Sequence, residues 1–143
     1  MTKNNEVNIL VVDDDEVDVK AIRRAFNKLK IANPLTVAHD GIDALERLRG
    51  QNGYDQLPRP NMILLDLNMP RMNGIEFLAE IRNDPELGDS IVFVLTTSND
   101  DEDKVKTFNY NVAGYIVKTD PAAGFMKAIE MIDLYWKVVE LPA

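Results

Sequence analysis

The chain contains no cysteine, which excludes disulfides, thiolate nucleophiles and zinc or iron–sulfur centres held by sulfur. It has a single histidine, His39, so multi-histidine metal sites are excluded and any catalytic triad would have one candidate base. No apolar run approaches the ~18 residues of a spanning helix. The stretch from Met1 to Asn5 is polar and lacks an apolar signal core. Basic residues are the minority: 16 Lys and Arg face 24 Asp and Glu, a net charge of −8. Such a surface repels a phosphate backbone, so nucleic acid is not an expected partner; a basic protein or a divalent cation is. A soluble, cytoplasmic protein with no membrane partner is the simplest expectation.

What is present is enough for one domain. A chain of 143 residues, 45% apolar and 28% charged, can bury a core that needs no covalent staples. The run Val7-Asn8-Ile9-Leu10-Val11-Val12 is nearly continuous in apolar residues and breaks into Asp13-Asp14-Asp15. A strand buried on both faces reads this way. Val19, Ile22, Phe26 and Leu29 follow at helical spacing. The pattern then repeats. Leu35 to Ala38 is a strand, and Asp40-Gly41 opens a helix carrying Ile42, Leu45 and Leu48. Residues 50–60, with Gly50, Gly53, Pro58 and Pro60, form an extended loop. Met62 to Asp66 is a third strand, and the helix of Ile75, Leu78 and Ile81 stops before Pro85. Ile91 to Leu95 is a fourth strand, followed by a helix over 100–109 anchored by Val105 and Phe108. Ala113 to Val117 is a fifth strand. Pro121 opens a last helix striped by Phe125, Ile129, Ile132 and Trp136.

Five apolar strands alternating with helices predict an α/β fold: a five-stranded parallel sheet with helices on both faces. Ligands of such sheets gather at the carboxyl ends of the strands. There the sequence places Asp13 and Asp14, Asp66, Thr96 and Lys118. If these strands are neighbours, ~4.8 Å apart, the side chains converge on one pocket. Three carboxylates bring −3, and two like charges ~4 Å apart repel by about 4 kcal/mol at an effective dielectric near 20. Lys118 supplies +1 and Mg²⁺ (or Mn²⁺) would supply the rest through oxygen ligands. A carboxylate in that setting can accept a phosphoryl group as an acyl phosphate. Asp66, alone at its strand end, is the expected nucleophile. Asp13 and Asp14 are the expected metal ligands, and Lys118 and Thr96 would stabilise the transferred group.

These residues resemble the receiver domain of two-component response regulators. The resemblance rests on Ile9-Leu10-Val11-Val12-Asp13-Asp14, on Leu65-Asp66-Leu67-Asn68-Met69-Pro70-Arg71-Met72-Asn73-Gly74, on Val94-Leu95-Thr96-Thr97 and on Tyr115-Ile116-Val117-Lys118. It covers nearly the whole chain and implies the flavodoxin-like strand order 2-1-3-4-5. It also implies roles. Asp66 would take a phosphoryl group from a partner histidine kinase. Asp13, Asp14 and Asp66 would ligate Mg²⁺ together with the backbone carbonyl of Asn68. Lys118 would pair with the phosphoryl group, and Thr96 and Tyr115 would be a switch pair. Such a protein would be a regulator with at most self-catalysed phosphotransfer and autodephosphorylation. The family usually has proline after this lysine, in a cis bond; here Thr119 follows, and a non-proline cis bond costs ~2.5–4 kcal/mol.

Within that family, the Pro58-Arg59-Pro60 loop and the ending Tyr135-Trp136-Lys137-Val138-Val139-Glu140-Leu141-Pro142 resemble single-domain regulators that partner bacterial phytochromes. On this reading residues 1–143 are one receiver domain with no output domain, working as a homodimer through the 100–139 region. Met131, Leu134, Tyr135 and Val138 add apolar surface outside the core stripe of the last helix.

Other readings compete. Asp13-Asp14-Asp15-Glu16-Val17 also fits the opening of haloacid-dehalogenase-like phosphatases, with Asp13 as nucleophile and Asp15 as acid. It leaves the decapeptide around Asp66 without a role. Asp15 reads as a helix cap, His39 as a strand-end residue and Asp100 to Asp103 as a solvated helix start. Tyr115 reads equally well as plain core.

Overall fold

Val12 and Leu65, each followed by an aspartate, are paired partners on two central parallel strands. The computed structural model describes residues 7–58, 61–96, 105–106, 109–117 and 129–134. Its elements are β1 (Asn8–Val12), α1 (Glu16–Lys28), β2 (Leu35–Ala38), α2 (Gly41–Arg49), β3 (Asn61–Asp66), α3 (Gly74–Asn83), β4 (Ile91–Thr96) and β5 (Gly114–Val117). Residues 105–106 and 129–134 are also helical. The remainder of the two helices expected there, with Phe108, Pro121, Phe125 and Trp136, lies outside the described residues, as does the Asp100 to Asp103 stretch.

All strand pairs are parallel and the order is β2-β1-β3-β4-β5, as the resemblance implied. The chain runs outward from β1 to β2, then crosses back to β3. The order therefore reverses between β1 and β3, and the crevice of such a sheet opens at that point.

Both faces are covered, which explains the unbroken apolar runs. Leu10, Val12, Ile63, Leu65, Val92 and Val94 face Ala44, Leu45 and Leu48 of α2, Phe77, Leu78 and Ile81 of α3, and Val105. Their neighbours Ile9, Val11, Met62, Leu64, Phe93 and Leu95 face Ile22, Ala25 and Phe26 of α1, with Ile129 and Ile132. Period-two alternation thus feeds two cores from one strand. Full burial of a side chain such as Phe77 or Ile22 contributes ~1.5–3 kcal/mol.

Helix ends follow local chemistry. Asp15 caps α1, its carboxylate accepting the Val17 N–H at 2.8 Å. Asp40 caps α2 in the same way through the Asp43 N–H, also at 2.8 Å. Asn73 and Glu76 form a reciprocal capping box at the start of α3. Gly50 ends α2 with φ +68°, a left-handed turn that an L side chain resists. The loop after it folds back onto α2. The Tyr54 hydroxyl donates to Oδ1 of Asp43 at 2.8 Å, and the Arg47 guanidinium lies 4.2 Å over the Tyr54 ring. No helix among the described residues is long and apolar enough to cross a membrane.

Candidate functional site

Because Val12 pairs with Leu65, the chain leaves β1 at Asp13 beside the place where β3 ends at Asp66. Carboxylate oxygens of Asp13, Asp14 and Asp66 lie within 4.8 Å of one another. Asp13 and Asp66 are buried and Asp14 is exposed, so the cluster has a sheltered floor and a wet side. Oδ1 of Asp13 accepts the Asp15 N–H at 2.9 Å, and the Asp13 N–H donates to the Ala38 carbonyl at 3.0 Å. The carboxylate is therefore oriented by the turn that starts α1.

On the other side of Asp66 stands β4. Asp66 pairs with Leu95, so Thr96 is the next residue up, and it is buried. Thr96 in turn pairs with Val117 on β5. The register carries the chain toward Lys118, which lies outside the described residues together with Thr119 and the peptide bond between them. Tyr115 is half-buried, packed against the apolar cluster that includes Val105, with the Lys106 ammonium 5.6 Å from its ring centroid. Asn68 is exposed on the loop from β3 to α3. Five of the seven expected site residues, Asp13, Asp14, Asp66, Asn68 and Thr96, thus lie at the carboxyl ends of β1, β3 and β4. Tyr115 stands within β5.

A cavity of about 410 Å³ opens beside the acidic cluster, lined by Asp13, Asp14, Val19, Lys20, Arg23 and His39 among others. His39 is exposed at the end of β2, as expected for a strand-end residue, and its backbone N–H donates to Asp43 Oδ2 at 3.1 Å. Asp15 stands outside the cluster and is used as a cap. The phosphatase alternative, which needs Asp15 as an acid, therefore loses its second residue.

Sequence reasoning missed the pairing of Arg71 with Asp40 and the contact of Tyr54 with Asp43. Arg71 Nε donates to Asp40 Oδ2 at 2.7 Å and its Nη2 to Asp40 Oδ1 at 3.1 Å. Burial alone would push the Asp40 carboxyl up. The Arg71 guanidinium and the Asp43 and Ile42 N–H groups outweigh it and hold the carboxyl below its ordinary value. No spacing rule links residues 31 apart in sequence, so only the fold could reveal this pair.

The donor set is all oxygen, three carboxylates at a strand-end crevice. That is the chemistry of a small hard cation and not of zinc or copper. Fold and site together define a doubly wound α/β domain with an acidic centre at its topological switch point. Residues 9–130 match the response regulator receiver domain family, and the chain belongs to it. It is 36% identical over 136 residues to response regulator Rcp1 of Synechocystis sp., covering 94% of this chain and 92% of that protein. Among solved structures it resembles the Mn²⁺-bound form of Rcp1, with a TM-score of 0.81 over 95% of this chain and 99% of that one, at 36% identity. It also resembles the phosphorylated cyanobacterial phytochrome response regulator RcpA, with a TM-score of 0.83 at 32% identity, over 95% of this chain and 98% of that one. The chain is therefore a signalling regulator of the receiver type, and the phosphatase reading finds no support.

Proposed function

We propose that this receiver domain is a phosphoacceptor switch in which Asp66 takes a phosphoryl group from a phosphorylated histidine kinase. An Asp66 carboxylate oxygen forms the new P–O bond as the donor's P–N bond breaks, and the departing imidazole takes up a proton. Asp13, Asp14 and Asp66, with the Asn68 carbonyl, would hold a divalent cation that neutralises charge on the phosphoryl oxygens. The three carboxylates lie within 4.8 Å of one another, close enough to share one such cation. Lys118 would pair with the phosphoryl group. Thr96 would donate its hydroxyl to it, and Tyr115 would move inward behind Thr96. The domain would act as a regulator, limited to catalysing its own phosphotransfer and dephosphorylation.

The observation that carries this reading is the meeting of Asp13, Asp14 and Asp66 from separate stretches of chain. The Mn²⁺ in Rcp1 and the phosphorylation of RcpA support it by likeness. The likeness to RcpA, a phytochrome response regulator, points to a phytochrome as the kinase. For a homodimer through the 100–139 region, the support is that Met131 and Leu134 are exposed on the helical residues 129–134.

Incubation with acetyl phosphate and Mg²⁺, read by intact mass, tests the proposal. The wild type should gain one phosphate and Asp66→Asn none; equal labelling of the variant would move the nucleophile elsewhere. Light scattering of Leu134→Glu tests the dimer: the wild type should be a dimer and the variant a monomer.

A further inference from the structure

The loop from β3 to α3 is fastened at two places. At its base the Gly74 N–H donates to the Leu67 carbonyl at 2.9 Å, and a Cβ on Gly74 would meet the Asp66 carbonyl oxygen at 2.6 Å. At its apex it is fastened to α2. The Gly41 N–H donates to the Met72 carbonyl at 3.1 Å, and a Cβ on Gly41 would sit 2.6 Å from Met72 Cγ. The Arg71 fork grips both oxygens of Asp40 in addition. Asn68 lies between the two fastenings.

Asp40 is the fixed post of this pair. It is buried, and its Oδ1 already caps α2 through the Asp43 N–H. Arg71 is the tie: its side chain is 55% exposed, and its backbone is left-handed, with φ +60°. A non-glycine residue stays in that conformation only where its surroundings over-determine it. Pro70 and Met72 contribute through a tight turn in which the Met72 N–H donates to the Pro70 carbonyl at 2.7 Å. A guanidinium fits this role because its planar fork fixes direction as well as distance to a carboxylate.

We propose that Arg71 is a positioning residue: its ion pair with Asp40 holds the β3–α3 loop in the shape that presents the Asn68 backbone carbonyl to the divalent cation. This rests on the metal-dependent reading of Asp13, Asp14 and Asp66. Without the fork, the left-handed turn at residue 71 loses its tie and the loop samples other shapes. Apparent affinity for the cation then falls with the fraction of molecules in the competent shape.

The sign separates this role from simple electrostatics. Arg71 is positive, so removing its charge would by itself tighten cation binding. The positioning role predicts the opposite. Calorimetric titration of the full chain with Mg²⁺ at fixed ionic strength should give a Kd raised about tenfold in Arg71→Gln, at the low end of what outer supports of a metal site contribute. Arg71→Lys, which keeps the charge and loses the fork, should show a smaller rise of about threefold. Asp40→Asn retains the helix cap and should resemble Arg71→Gln, with the double variant no weaker than either single one. An unchanged or lowered Kd in a folded Arg71→Gln overturns the role of Arg71. Should that variant fail to fold, an unchanged Kd in Arg71→Lys overturns it equally. A wild type that binds no Mg²⁺ would instead remove the metal-dependent reading itself.

Discussion

Asp13 and Asp66 end neighbouring strands side by side, because β1 and β3 pair with Val12 opposite Leu65. Two buried carboxylates, with Asp14 beside them, are thereby forced into one crevice. Without a cation this arrangement is repulsive, and the fold tolerates it because the flanking strands are buried on both faces.

The repulsion gives the first prediction. Asp13→Asn keeps an oxygen for the Asp15 N–H and removes one of three like charges. In chelator it should be more stable than the wild type by about 1 kcal/mol, roughly 3 °C in Tm for a chain of this size. Added Mg²⁺ should reverse the order, since a ligand at 100 times its Kd stabilises by about 2.7 kcal/mol. Thermal melts with and without Mg²⁺ check both signs; a metal-free variant that melts below the wild type would contradict the account.

Two glycines should respond differently to alanine. Gly74→Ala drives a methyl to 2.6 Å from the Asp66 carbonyl oxygen and 2.8 Å from Leu67 Cα, both backbone atoms that cannot swing away. A loss of about 2–3 kcal/mol is expected, together with impaired phosphorylation, because one of the displaced atoms is the carbonyl oxygen of Asp66 itself. At Gly53, φ is +86° and an added Cβ meets nothing within 4 Å. Only backbone strain remains, about 1–2 kcal/mol, with phosphorylation unchanged. Urea denaturation measures both.

Acid stability should report the Asp40–Arg71 pair. The Asp40 carboxyl is held below its ordinary value of 3.8 in the folded chain. Near and below that pH the unfolded chain binds more protons than the folded one, so stability falls as pH falls. The contribution is whole above pH 3.8 and is lost as pH drops through the depressed folded value. Asp40→Asn should therefore flatten the decline of stability below pH 4. Asp84 behaves alike: burial pushes it up, and the Glu86 N–H, Arg49 and the Leu87 N–H more than compensate. The combined Asp40→Asn, Asp84→Asn chain should be flatter still. Denaturant midpoints between ~pH 2.5 and 5 show it; an unaltered slope would contradict the pairing.

Arg82 ties α3 to the approach to β5. Its guanidinium donates to the carbonyls of Tyr110 at 2.7 Å, Gly88 at 2.9 Å, Ser90 at 2.8 Å and Asn111 at 3.1 Å. Burial pushes its pKa down from the ordinary guanidinium value, partly offset by Asp89. Arg82→Met keeps the apolar stem and leaves these carbonyls without their donor. A loss of about 2–3 kcal/mol is expected in chemical denaturation. Amide exchange should also rise over residues 109–113, which precede Tyr115. Protection unchanged there would mean the cage does not order the segment.

The strands, the caps at Asp15 and Asp40 and the acidic strand ends were legible in the sequence because their causes are local. A strand buried on both faces must be apolar throughout, and an aspartate before a helix finds its N–H within three residues. The haloacid-dehalogenase reading was legible for the same reason. It gave way because only three-dimensional register shows that Asp66, and not Asp15, joins Asp13 and Asp14. The expected third strand began one residue late and the fifth one residue early, since ladder ends depend on the neighbouring strand.

By itself, then, the sequence determined the alternation, the two-sided core and the list of residues able to do chemistry, since hydrophobic period and helix capping act over a few residues. Tertiary structure alone decided which carboxylates meet, that Arg71 reaches Asp40, that Tyr54 folds back onto Asp43 and that Arg82 gathers four carbonyls. The meeting of Asp66 with Asp13 and Asp14, the Arg71–Asp40 pair and the Arg82 bonds to Tyr110 and Asn111 join groups 28 or more residues apart. Their approach is set by sheet order and crossover geometry, which no local spacing encodes.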